Sequence, residues 1–272
     1  MRSEPRTGFV SAFLDSVGVL GPGLESWPRA AAILRGDAPH VPAHTVVPAP
    51  TLLPAAERRR TNLVVKLALG VGLEAIEACG ADARQLLTVF TSSGADGQNC
   101  HEICETLAGD ARALSPTRFH NSVHNAAAGY WGIATGAMTA SNVLCAFDAS
   151  FAAGLLDALT QVSVENKPVL LISYDSQYPP PLHAKRPLPD AFGVALLLSP
   201  QRSAWSLARV RAQLTTDAVS MMSDPKLESM RSSIPAARSL PLLQLLANGA
   251  RGRVIVQYLV PNHLQIDVES CA

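Results

Sequence analysis

The stretch that decides the fold is SPTRFHNSVHNAAAGYWGIATGA at residues 115–137, followed by NVLCAFDAS at 142–150 and FAAGLLDAL at 151–159. The first segment opens with Ser115-Pro116, a typical helix start, because serine caps the first turn and proline is tolerated in it. The second is a short apolar run that favours a buried strand, and the third has small and apolar residues at helical spacing. Helix, strand and helix in succession predict an α/β protein.

The expected bounds of these elements are a helix from Ser115 to about Thr135, a strand over Val143–Phe147 and a helix over Ser150–Gln161. Other short apolar runs also predict strands: Leu86–Thr91, Val169–Tyr174 and Phe192–Leu198. The second of these runs shows no alternation of apolar and polar residues, so both of its faces should be covered.

The remaining segments extend this prediction over one domain of all 272 residues. Residues 9–13 predict a short strand, and residues 254–260 with 264–268 predict a terminal hairpin. Residues 38–54 contain five prolines and are expected to form an extended surface segment, because each proline lacks a backbone donor. Residues 201–240 are polar and irregular, and we expect a mobile loop there.

Composition excludes several classes of protein. Charged residues make up 16% of the chain and hydrophobic residues 48%, which excludes an intrinsically disordered chain. The 22 basic and 22 acidic residues cancel, so no nucleic-acid partner or anionic membrane is expected. The apolar stretch at 9–20 is interrupted by Asp15 and predicts neither a signal peptide nor a membrane span. Five cysteines, an odd number, predict reduced thiols in a cytoplasmic protein.

Two groups of residues have side chains that can bind metals, but neither group predicts a metal site. Cys100 and Cys104 share a helix face, but no second pair completes a set of four ligands. His120 and His124 have the spacing of a zinc-binding helix, yet no glutamate stands between them. The sequence also lacks a phosphate-binding glycine loop and a serine nucleophile motif. We therefore expect no metal and no cofactor.

The central stretch resembles the N-terminal half of β-ketoacyl synthases of the thiolase-like superfamily. In that family an Asn-x-x-Ala-Gly helix, here Asn125–Gly129, precedes a strand that ends at the nucleophilic cysteine. The sequences HNSVHNAAAGYW and DASFAAGLL are more closely similar to the short "β-ketoacyl synthase-like, N-terminal" family, whose members accompany aryl polyene and xanthomonadin-type pigment synthases. The resemblance covers roughly residues 8–200 and implies a thiolase-like half-fold, with a mixed, mostly parallel sheet and helices on both faces.

The resemblance also implies that the chemistry of condensation is missing. In an ungapped match the position of the nucleophile falls on Asp148, and Cys145 lies three residues earlier. The family's two catalytic histidines, or His/Asn pair, come from its C-terminal half, and neither His183 nor His263 matches their motif. No catalytic residue is therefore assigned. Aspartate is a good helix cap, so Asp148 is expected to cap the helix that begins near Ala149.

The resemblance implies a non-catalytic, chain-length-factor-like subunit that pairs with a full-length ketosynthase and is served by an acyl carrier protein. The strand before the nucleophile pairs with its two-fold mate in that family, which assigns the interface to Ser141, Val143, Leu144 and Phe147. Phe119 stands where ketosynthases send a side chain across the interface to close the partner's acyl pocket. Phe119 has an alternative structural role, packing inside its own subunit.

Two other functions remain open from the sequence. The chain is alternatively an acyltransferase or thioesterase that uses Cys145 or Asp148, or a stand-alone module that binds an acyl carrier protein. The partner separates these hypotheses, because only the chain-length-factor-like subunit requires a ketosynthase.

Overall fold

The computed structural model of the chain describes residues 8–110 and 112–271. Its strands are β1 (Val10–Leu20), β2 (Leu87–Thr91), β3 (Ser141–Leu144), β4 (Val169–Asp175), β5 (Phe192–Ser199), β6 (Ala208–Thr215), β7 (Gly252–Gln257) and β8 (His263–Ser270). Its α-helices are α1 (Trp27–Arg35), α2 (Ala55–Arg60), α3 (Leu63–Cys79), α4 (Gly97–Ala108), α5 (Pro116–His120), α6 (Ala126–Thr135), α7 (Ser150–Glu165), α8 (Pro180–His183), α9 (Pro225–Ser233) and α10 (Leu240–Ala247). Short 3₁₀ turns lie at Ala83–Gln85, Phe147–Ala149 and Pro235–Ser239.

The eight strands form one sheet in the order β3-β2-β4-β5-β1-β6-β8-β7. Only the β3–β2 and β2–β4 pairs are parallel, and the other pairs are antiparallel. The expected mixed sheet with helices on its faces is confirmed, but the expectation that it is mostly parallel is wrong. The reason is that β1 is a long strand inserted antiparallel between β5 and β6, and that β8 pairs antiparallel with both β6 and β7.

Both faces of the central strand β4 are buried, as its uninterrupted apolar sequence predicts. Leu170 and Ile172 pack in one cluster with α3 and Trp131 of α6. Val169 and Leu171 pack on the other face, in a cluster that contains the apolar side of α7. Burying a large apolar side chain stabilises a fold by about 1.5–3 kcal/mol, so these two layers fix the sheet between the helices.

Helix α7 approaches the end of β2 so closely that only glycine fits at Gly154. A Cβ atom there would lie 2.1 Å from Cγ2 of Thr91. The small residues of FAAGLLDAL therefore serve the close packing of α7 against the sheet. This packing sets the distance between the start of α7 and the ends of the parallel strands.

The single helix predicted from Ser115 to about Thr135 is in fact two helices, α5 and α6. Side chains of the intervening residues bind backbone groups instead of continuing the helix. Asn121 donates to the carbonyl of Arg60 at 2.8 Å, and Ser122 donates to the carbonyl of Phe119 at 2.7 Å. The following strand is also shorter than predicted: β3 ends at Leu144, and Phe147 lies in a 3₁₀ turn.

The expectation of an irregular loop over 201–240 is wrong. This segment contains β6, α9 and a 3₁₀ turn. Ala208, Val210 and Ala212 are buried and alternate with more exposed residues, which is the pattern of a strand with one covered face. Residues 38–54 contain neither helix nor strand, and most of their side chains are exposed. Among the described residues, no helix combines the length and apolarity needed to cross a bilayer.

Candidate functional site

The three parallel strands β2, β3 and β4 end at the same edge of the sheet. Ser92 and Ser93 follow β2, Cys145 follows β3, and Asp175 is the last residue of β4. The carboxyl ends of parallel strands are where open α/β sheets place their ligand sites. This edge is therefore the candidate functional site.

Asp175 is a buried carboxylate that joins the strand ends. One oxygen accepts a hydrogen bond from the Ser93 backbone nitrogen at 2.8 Å, and the other accepts one from the Ala236 nitrogen at 2.8 Å. Burial raises the pKa of Asp175 from 3.8 to about 6, and these hydrogen bonds oppose the shift. The residue organises the backbone around the site.

Asp148, at the position that the resemblance assigns to the nucleophile, is ion-paired with two arginines. Its carboxylate accepts a hydrogen bond from Arg186, and the guanidinium of Arg238 lies 3.2 Å from its other oxygen. Arg238 also donates to the backbone carbonyl of Asp148. Two guanidinium groups therefore hold this carboxylate, one at each oxygen.

The expectation that Asp148 caps α7 is wrong. The N-cap residue of α7 is Ala149, and no side chain caps the helix there. The Asp148 carboxylate binds the two arginines instead, because the 3₁₀ turn before the helix directs it away from the first turn. Ser150 binds the same turn: its hydroxyl donates to the carbonyl of Phe147 at 2.7 Å and accepts from the Ala146 nitrogen at 3.1 Å.

Cys145 is exposed, and its thiol donates to the carbonyl of Ser93 at 3.3 Å. Within the described ranges no imidazole or carboxylate hydrogen-bonds this thiol. His124 forms a hydrogen bond with the backbone of Ser92, at the end of the neighbouring strand β2. Burial lowers the pKa of His124, and this hydrogen bond opposes the shift. A nucleophilic cysteine needs a base or a positive environment that lowers its pKa. The described contacts give Cys145 neither a base nor a cation.

The predicted interface residues lie at the edge of the sheet. Strand β3 pairs with β2 and forms one edge of the sheet. Ser141 is exposed, while Val143 and Leu144 are half-buried against their own core. Phe147 is 59% exposed. The structure thus brings Ser141, Val143 and Leu144 together in one edge strand, and Phe147 follows three residues later.

Phe119 lies in α5 and is 66% exposed. The alternative in which its ring packs inside its own subunit therefore does not hold for this chain by itself. Other large apolar side chains in the same part of the chain are also exposed: Val123, Ile133 and Met138. Exposed large apolar side chains are typical of a surface that another chain covers.

Sequence reasoning missed the arginines. Arg186 lies in a proline-rich segment and Arg238 in the segment interpreted as a loop, and neither residue belongs to a recognisable motif. Asp175 could have been found, because an acidic residue at the end of a predicted buried strand marks the ligand edge of a parallel sheet. No three described His, Cys, Asp or Glu residues are grouped in a way that would hold a metal ion.

Comparison with known proteins agrees with this architecture. The family model described as "Beta-ketoacyl synthase, N-terminal domain" matches residues 27–257. A solved complex of a ketosynthase (ApeO) with its chain length factor (ApeC) from Xenorhabdus doucetiae is similar at 25% identity and a TM-score of 0.69, over 94% of this chain and 99% of that one.

Two further solved structures share the fold at lower identity. The ishigamide ketosynthase/chain length factor has a TM-score of 0.72 at 12% identity, over 97% of this chain and 100% of that one. A type II polyketide synthase acyl carrier protein in complex with its ketosynthase, AntDE:AntF, has a TM-score of 0.72 at 10% identity, over 96% and 99%. No curated protein matches the chain.

Proposed function

The chain belongs to the β-ketoacyl synthase N-terminal domain family, and from this premise we propose that it is a non-catalytic, chain-length-factor-like subunit. It pairs with a full-length ketosynthase that carries out the condensation. The substrate is an acyl chain borne on an acyl carrier protein, and the pathway is of the polyketide or fatty-acid type. The similarity to a ketosynthase–chain length factor complex supports the partner.

The observation that carries the proposal is the ion pairing of Asp148. Where an active synthase would need a thiolate, this chain has a carboxylate between Arg186 and Arg238. Oxyanion stabilisation and nucleophilic attack both require a free, correctly placed reacting group. The Asp148 carboxylate is instead engaged in ion pairs on both oxygens, which supports a structural use of this position.

The surface of the chain supports a partner. In the described part of the chain β3 has a neighbouring strand on one side only, and a strand edge of this kind is a template for pairing with a second chain. Pairing with the corresponding strand of a ketosynthase would continue the sheet across the heterodimer. Ser141, Val143, Leu144 and Phe147 are the interface residues in this proposal.

Phe119 is proposed to limit the length of the product. Its ring is 66% exposed at the surface that the partner is proposed to cover. A bulky ring that enters the partner's acyl channel occupies the volume of several methylene groups. The channel then ends earlier, and the chain grows less before it is released.

The finer assignment is synthesis of an aryl polyene pigment in the cytoplasm. It is supported by the family resemblance of HNSVHNAAAGYW and DASFAAGLL, and by the similarity to the ApeO–ApeC complex. The cysteines described as free thiols are compatible with a reducing compartment.

Co-expression with the full-length ketosynthase encoded nearest to this chain tests the proposal. We expect a 1:1 complex by light scattering, and condensing activity that is lost when the partner's nucleophilic cysteine is replaced by alanine. A chain that stays monomeric and hydrolyses or transfers acyl groups through Cys145 would support the autonomous enzyme instead. A monomer that binds only the carrier protein would support the binding module.

A further inference from the structure

The turn that contains Phe147 has an unusual backbone. The φ angle of Phe147 is +52°, in the left-handed region that an aromatic residue rarely adopts. Such a conformation persists only where surrounding contacts hold it. Despite this, the Phe147 ring is 59% exposed, so burial in its own core is not what holds it.

Arg186 covers the Phe147 ring. The centre of its guanidinium lies 3.6 Å from the ring centroid, within range for a cation–π contact. The same guanidinium donates to the hydroxyl of Tyr178 at 3.1 Å and to the Asp148 carboxylate. Tyr178 in turn hydrogen-bonds with Ser93 at 3.2 Å. Arg186 is therefore fixed from two sides while it contacts the ring.

Arg238 fixes the backbone of the same turn. It donates to the carbonyl of Asp148 and pairs with the carboxylate at 3.2 Å. Its side chain is only 9% exposed, and its buried Nε has no hydrogen-bond partner among the described residues. Burying a guanidinium is costly, so Asp148 compensates two largely buried cations at once.

We propose that Asp148 is a positioning residue of the subunit interface: through Arg186 and Arg238 it holds the Phe147 turn in one conformation, with the ring ready to be buried by the partner ketosynthase. This inference rests on the proposed function. A ring already fixed in its bound orientation loses little conformational entropy on binding, and buried aromatic residues dominate interface energies. The position that the resemblance assigns to the nucleophile thereby organises the heterodimer in this proposal.

A double-mutant cycle on the dissociation constant tests the inference. The variants are Asp148→Asn, Phe147→Ala and the double variant, each titrated with the ketosynthase used for co-expression. We expect Asp148→Asn to weaken binding about tenfold and Phe147→Ala about tenfold or more. The double variant should bind like Phe147→Ala alone, because Asp148 acts through the ring. Asp267→Asn is the control, since Asp267 is likewise paired with an arginine, Arg253, but lies on β8 at the opposite end of the sheet from β3.

A spectroscopic measurement on the isolated chain gives a second readout. With 4-fluorophenylalanine at position 147, the fluorine resonance should be shifted by the overlying guanidinium, and Asp148→Asn should move it towards the free amino acid. Additive losses in the cycle, or an unchanged resonance in Asp148→Asn, would overturn the inference while leaving a heterodimer intact. Failure of the wild-type chain to bind the ketosynthase would instead overturn the proposed function and the inference with it.

Discussion

Asp175 and Ser93 are joined by a hydrogen bond of 2.8 Å from the Ser93 backbone nitrogen to the buried carboxylate. The other carboxylate oxygen accepts from Ala236, so one side chain connects the ends of two parallel strands with a segment more than sixty residues away. The carboxylate is desolvated, and its pKa is raised to about 6. The stability of the site should therefore depend on pH.

The direction of this pH dependence follows from the difference in the pKa of Asp175 between the native and unfolded states. A raised pKa means that the native state holds the proton more tightly than the unfolded chain, so the contribution of Asp175 falls as pH rises from about 4 to about 6. The rise in the pKa of Asp175 from 3.8 to about 6 corresponds to roughly 3 kcal/mol of stability. Urea unfolding between pH 4 and pH 7 should show this fall in the wild type and not in Asp175→Asn.

Asp82→Asn is the control for that measurement. The pKa of exposed Asp82 is lowered, first by its hydrogen bond with the Arg84 side chain, so this pair contributes in the opposite sense and is lost as pH falls. If wild type and Asp175→Asn lose stability in parallel across the window, Asp175 does not titrate as described.

Phe119→Ala should leave the stability of the isolated chain within about 0.5 kcal/mol, because surface substitutions are usually mild. In the complex, removal of the ring lengthens the channel, and the distribution of carrier-bound products should shift to longer chains. Mass spectrometry of those products, with melting curves, checks both parts. Phe9→Ala is the matched control, since Phe9 is also exposed but lies against Arg211 elsewhere on the sheet. An unchanged product distribution would contradict the proposed role of Phe119.

Ser141→Pro should weaken the heterodimer at least tenfold without unfolding the chain. The backbone nitrogens of Thr88 and Ser92 in and after β2 donate to the carbonyls of Ala140 and Leu144. Backbone groups of successive residues in a strand point to opposite sides, so the N–H of Ser141 points away from β2. Proline removes that outward donor at the first residue of the strand, where it is tolerated. Sedimentation equilibrium measures the effect, and Ser141→Ala is the control. Equal dissociation constants for the two variants would mean that β3 does not pair with the partner.

The sequence predicts the local elements better than their arrangement. The apolar run at 169–174 correctly predicts a strand, because burial on both faces demands apolar residues at every position. The strand direction across the sheet was not predictable in this way. Whether β5 runs antiparallel to β4 depends on the loop between them and on packing with β1.

At the site, too, local features could be predicted from the sequence but long-range contacts could not. The roles of Asp148, Phe119 and Ser141 are implied by the family resemblance and stay predictions. The cap assigned to Asp148 was wrong because two arginines, distant in sequence, compete successfully for its carboxylate. Long-range ion pairs leave no periodic signal, so local patterns do not reveal them.

The most direct test of the central claim is intact-protein mass spectrometry of the purified complex after incubation with an acyl-loaded carrier protein. If the chain is the non-catalytic subunit, the mass of one acyl group appears on the ketosynthase, and the mass of this chain stays unchanged. An acyl adduct on this chain, mapped to Cys145 or Asp148, would contradict the account.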